Sequence, residues 1–119
     1  MTRTMNWEYA AKNTEYESKL YDILSRIREL PGAWLGKPSI TRLFHFIGGY
    51  TIAVMQYEDY RLHFDRDFYE YIKKFFPSRR MLNWDGLILE GRTEEEAFLE
   101  FYRQLDAFRK EQAFNQDMD

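Results

Sequence analysis

With no cysteine in the chain, any metal site would have to draw on two histidines, His45 and His63, and on the twenty acidic residues. The missing thiols exclude a disulfide framework, a thiolate zinc site, an iron–sulfur cluster and a cysteine nucleophile. Asp59, His63, Asp65 and Asp67 stand close together, but the regular oxygen-ligand order and the obligatory glycine of a calcium loop are missing. Ser18, Ser25, Ser39 and Ser78 have no Gly-x-Ser-x-Gly context, so none reads as a hydrolase nucleophile. Gly32-x-x-x-Gly36-Lys37 is one residue too short for a phosphate loop, and Pro38 follows the lysine where serine or threonine is needed. Paired carboxylates beside a cleft are compatible with the composition. A small carboxylate-dependent hydrolase or nuclease is therefore the enzymatic alternative. The expectation is a protein that is not an enzyme, with no catalytic residue, cofactor or metal.

Charge points instead to recognition. Arg61, Arg66, Lys73, Lys74, Arg79 and Arg80 are interleaved with aromatic residues, as in a nucleic-acid surface. Most of those aromatics recur on one helical face, however, which reads as core. Residues 61–80 hold six basic and three acidic side chains, whereas residues 81–119 hold four and ten, within a net charge of −3. An acidic total disfavours direct nucleic-acid binding, in which neutralised phosphates supply much of the affinity. Asp85, Glu90, Glu94, Glu95, Glu96 and Glu100 form a candidate surface for a basic protein partner. Glu94, Glu95 and Glu96 also suit a helix start, where the dipole favours negative charge.

The elements that must position these residues follow from periodicity. Residues 14–29 read as a helix with a Thr14-x-x-Glu17 capping box, an apolar face of Tyr16, Leu20, Ile23, Leu24 and Ile27, and Pro31-Gly32 as its stop. Residues 33–38 read as a loop, and Ser39 as the cap of a second helix running to about Glu58. Its Gly48-Gly49 pair suggests either a kink or a close helix crossing, the crossing being preferred because an apolar face continues on both sides. Residues 67–76 read as a third helix with Phe68, Tyr71, Ile72, Phe75 and Phe76 inward and Pro77 ending it. Residues 83–90 read as a short helix capped by Asn83 and closed by Gly91, or equally as a buried strand. The last helix starts at a Thr93 capping box and presents Ala97, Phe98, Phe101, Leu105 and Phe108 inward to about Glu111. The expected architecture is all-α, a single domain over residues 1–119 of about five helices, with residues 1–13 and 113–119 as flexible ends and a small β element as the alternative. With 45% hydrophobic residues, no apolar run long enough to span a bilayer and no signal-peptide pattern, the chain reads as soluble and cytoplasmic.

The segment Pro31-Gly32-Ala33-Trp34-Leu35-Gly36-Lys37-Pro38-Ser39-Ile40-Thr41-Arg42-Leu43-Phe44-His45-Phe46-Ile47-Gly48-Gly49-Tyr50 resembles a pattern of small immunity proteins from toxin–immunity loci, best known from contact-dependent growth inhibition. Asn83-Trp84 and the acidic, phenylalanine-rich stretch from Glu95 to Phe108 are similar more weakly, so that about half the chain is covered. The resemblance implies an immunity protein that binds and blocks a cognate toxin domain by direct protein contact. It carries over no binding residue, because the shared positions read as structural: Gly32, Gly36 and Gly49 for the backbone, and Trp34, Leu35, Phe44, Ile47 and Tyr50 for packing. A non-immunity adaptor or regulator fits the same residues, and oligomeric state is left open.

Overall fold

Helix α1 (Thr14–Glu29) opens the part of the chain that the computed structural model describes, residues 14–118. Its bounds match the expected ones. Leu20, Leu24 and Ile27 are completely buried, whereas Glu15, Lys19, Asp22, Arg26 and Glu29 face solvent. The Thr14 side chain of the expected capping box, like the end expected at residues 1–13, lies outside the described residues. Glu17 turns instead toward residues 60–63, accepting from the Tyr60 hydroxyl at 2.7 Å and the His63 N–H at 2.9 Å.

The expected loop at 33–38 is corrected: its first residues belong to a one-turn helix, α2 (Pro31–Leu35). Pro31 fits the first helical turn, where its missing N–H costs nothing. Leu35 is buried, and Gly36 closes the turn at φ 86°, donating its N–H to the Gly32 carbonyl at 2.9 Å. A Cβ at Gly36 would also lie 2.6 Å from the Arg42 guanidinium, which donates to the Leu35 carbonyl at 2.7 Å. The backbone angle therefore favours glycine here, and a side chain would also have to displace the Arg42 guanidinium.

Helix α3 (Ile40–Glu58) starts as expected, with Ser39 extended and its Oγ accepting from the Arg42 N–H at 3.1 Å. Ile40, Leu43, Ile47 and Val54 are buried, and Phe44 and Tyr50 are half-buried at the edges of that face. The expected helix crossing at Gly48-Gly49 is overturned: a Cβ at either glycine would meet nothing within 4 Å. The flanking apolar face belongs to the other side of the helix, so the glycines look outward.

Helix α4 (Phe64–Phe75) begins one turn before the expected start at 67, because Phe64 joins Phe68, Tyr71 and Ile72 in the core. Phe75, expected inward, is 56% exposed, while Phe76 is half-buried. Phe75 stands in the last turn, where its ring meets Tyr71 and the Lys74 ammonium of its own helix. Residues 83–90 resolve as helix rather than strand, α5 (Trp84–Leu89), with Asn83 leading in but making no side-chain cap bond and Gly91 following at φ 76°. The last helix, α6 (Glu94–Met118), shows the expected capping box in both directions: Thr93 N–H to Glu96 at 2.8 Å, and Glu96 N–H to Thr93 Oγ1 at 3.1 Å. It continues to Met118, past the expected end at about 111.

These six helices, with no strand among the described residues, form one all-α bundle. Trp84 lies at its centre, its ring 5.1–6.2 Å from those of Phe44, Phe64, Phe68 and Phe101, and its Nε1–H donates to Asp65 at 3.0 Å. Across the bundle the Tyr102 hydroxyl donates to the Leu24 carbonyl at 2.7 Å, and Arg28 makes a paired contact with Asp106 at 3.1 Å. Among the described residues no helix is long and apolar enough to cross a membrane.

Candidate interaction surface

Of the acidic residues singled out by charge, Asp85 and Glu94 come near one another where α5 and the start of α6 pack against the beginning of α3. Glu94, the first residue of α6, turns inward: its carboxylate accepts from Ser39 Oγ at 2.8 Å, Thr41 N–H at 3.0 Å and Thr41 Oγ1 at 2.6 Å. Burial works to raise the Glu94 pKa, but the bonds from Thr41 and Ser39, with the Lys37 charge nearby, outweigh it and hold the carboxyl below the usual glutamate range. Asp85 feels the charges of both His45 and Glu94, and desolvation raises its pKa against opposing backbone hydrogen bonds. Glu90 accepts from Ser78 at 3.0 Å and lies 3.8 Å from the Arg80 guanidinium. Glu100 is largely covered, with its side chain 12% exposed, and binds Gln104 and Arg103.

The six residues thus divide by role. Glu94 ties two helices together, Glu96 caps α6, Glu100 is held along its flank, and Asp85 is half-buried. Glu95 projects into solvent, and Glu90 and Glu96 are exposed despite their contacts. Periodicity did not single out Leu99, which is 62% exposed. It stands four residues after Glu95 and three after Glu96, so on a helix it neighbours both, with Arg103 one turn further on. Its signal was legible as an apolar residue off the Phe98, Phe101, Leu105, Phe108 face.

No family model, curated protein or solved structure matches this chain.

The other candidate groups are accounted for by contacts within the fold. Asp65 accepts from Trp84, His63 Nδ1 lies 2.8 Å from the Arg66 guanidinium, and no group of three or more potential ligands is gathered among the described residues. In the basic segment Phe68 and Tyr71 are core residues, as expected, and Phe64 joins them, whereas Phe75 is exposed and Tyr69 half-buried. Lys73 pairs with Glu70 at 3.2 Å and Lys74 with Glu111 at 3.7 Å, across an open groove of about 370 Å³ between α4 and α6. Of the motif residues, Leu35, Gly36, Ser39 and Arg42 close a hydrogen-bonded junction between α2 and α3. Trp34, expected to pack, is instead 39% exposed with Phe46 beside its ring, and a Cβ at Gly32 or Gly49 would meet nothing within 4 Å.

Proposed function

We propose that this chain is a cytoplasmic immunity protein that binds a cognate toxin domain by direct contact and blocks it. The reading rests on the resemblance over residues 31–50, and the observation that gives it a surface is Leu99 exposed beside Glu95 and Glu96. An apolar anchor beside carboxylates suits a partner with a basic rim, since such interfaces place an apolar contact at the centre and charge around it. Asp85, within electrostatic reach of Glu94 and His45, extends the acidic field toward α3, while Glu90 is held by Ser78 and Arg80. Glu94 and Glu100 contribute charge but are held by their own chain, so they act as supports more than as contacts.

The test is co-expression with the toxin domain encoded beside this gene. The protein should restore growth and form a one-to-one complex on gel filtration, with Leu99→Lys losing the complex while keeping the fold. Absence of an adjacent toxin reading frame, or a complex indifferent to Leu99→Lys, would remove the basis of the proposal.

A further inference from the structure

The connection between α4 and α5 is the longest stretch without helix among the described residues. Residues 77–82 make no backbone-to-backbone hydrogen bond there, and the Arg80 N–H turns to Ser78 Oγ at 3.0 Å instead. Met81 is fully exposed, and Arg79 and Arg80 before it are exposed as well. An endoprotease takes its substrate as an extended strand on both sides of the cut, so helices and bonded turns resist it whereas a segment of this kind does not.

Residue type narrows the class of enzyme. Of the seventeen lysines and arginines, Arg3 and Lys12 lie outside the described residues and ten stand within helices. Lys37, Arg61, Arg79, Arg80 and Arg92 are left. Lys37 is followed by Pro38, whose ring takes the place of the N–H on the leaving side. Arg61 stands between Tyr60 and Leu62, both buried, which anchor the backbone on either side of it. Arg92 is fastened at several points: its N–H donates to the Leu89 carbonyl at 2.8 Å, its guanidinium to the Ile88 carbonyl at 3.0 Å, and the next N–H, of Thr93, to Glu96. Among the described residues only Arg79 and Arg80 join an exposed basic side chain to an extended, accessible backbone. The contact of Arg80 with Glu90, at 3.8 Å and open to water, is readily released.

We propose that Arg79-Arg80-Met81 is a processing site for an endoprotease that cuts after arginine, and that the cut chain stays folded as two pieces, residues 1–80 and 81–119. Water adds across the Arg80–Met81 peptide bond, its hydroxyl completing the Arg80 carboxyl group and its hydrogen the Met81 amine. The pieces stay together because α5 and α6 complete the core of the other four helices. Trp84 packs against Phe44, Phe64 and Phe68, the Tyr102 hydroxyl donates to the Leu24 carbonyl, and Glu94 accepts from Thr41, all across the cut. What is lost is the covalent tie. Folding then includes an association step, so the cut form loses stability on dilution and the intact chain does not.

A time course with a trace of trypsin on the full chain, read by intact mass and by gel filtration in buffer and in urea, tests the proposal. The first cut within the described residues should fall in the arginine pair, mainly after Arg80. The two pieces should leave the column together in buffer and apart in urea, and the melting temperature of the cut form alone should rise with protein concentration. Arg79→Gln/Arg80→Gln should lengthen the survival of the full chain at least about tenfold with an unchanged melting curve, because the remaining sites open only through local unfolding. A first cut elsewhere in the described residues, a double variant cut as fast as wild type, or pieces that separate or unfold in buffer would each overturn the proposal. No toxin is needed, so the outcome is separate from that of the immunity reading.

Discussion

Replacing Glu94 by alanine removes one carboxylate that serves two helices. It starts α6, and it satisfies the Thr41 N–H, one of the first-turn donors of α3 that no helical carbonyl can reach. It also accepts from the Ser39 and Thr41 hydroxyls at 2.8 and 2.6 Å. Hydrogen bonds to a charged group contribute about 1.5–3 kcal/mol each, but this site is only partly buried and water can replace some of them. The expected loss is therefore about 2–3 kcal/mol for Glu94→Ala, and about 1 kcal/mol for Glu94→Gln, which keeps an acceptor but no charge. The pKa of Glu94 is depressed in the folded state, so its contribution is complete above the ordinary glutamate value and fades as the pH falls through the folded value. Urea unfolding of wild type and both variants, at neutral pH and again in acid, measures this. The gap between wild type and Glu94→Ala should narrow on acidification, and Thr41→Val should be non-additive with Glu94→Ala. A Glu94→Ala protein within about 0.5 kcal/mol of wild type at neutral pH, or a gap that does not change in acid, would refute the reasoning.

Gly49→Ala, measured in dilute solution, should raise stability by about 0.5–1 kcal/mol, since a Cβ meets open space and the helix gains propensity; a loss in thermal melting would contradict the outward orientation. Gly36→Ala should cost about 1–3 kcal/mol, because φ is 86° and the Arg42 guanidinium occupies the space; wild-type denaturation would show that the junction tolerates a side chain. Leu35→Ala and Phe44→Ala should each cost about 2–5 kcal/mol, with Phe44 at the lower end because it is half-buried against Trp84. Glu95→Lys/Glu96→Lys should slow association with a basic toxin domain at low salt, with about 1 kcal/mol of stability lost from the cap and dipole; association rates equal to wild type in the folded variant would take that patch out of the interface.

Much of the helical frame is legible in the amino-acid sequence, because capping and periodicity are local. Thr93 and Glu96 behave as their spacing requires, Ser39 caps α3, and α1 and α3 keep their expected ends. The errors fall where a residue's surroundings decide. Phe75 has the right spacing for the core but stands in a last turn whose ring contacts are its own neighbours. Gly48 and Gly49 look like a crossing point from the apolar face around them, yet that face is the opposite one. Residues 33–35 carry no helical period long enough to recognise, and only Gly36 with Arg42 explains why one turn forms there. The six carboxylates were visible as charge, but their division into ties, caps and exposed groups depends on partners 53 to 55 residues away in the case of Glu94.

This division changes what the motif itself can mean. Within residues 31–50 the distinctive polar contacts are closed internally: Gly36 to Gly32, Arg42 to Leu35, Ser39 to Arg42, with Glu94 completing the first turn of α3. A segment whose donors and acceptors are occupied in this way fixes a helix junction and offers a partner little to read. On the proposed reading, recognition falls on a face that the junction holds in place without using, Leu99 with Glu95 and Glu96 on α6. The same frame can carry different outward residues without loss of its core.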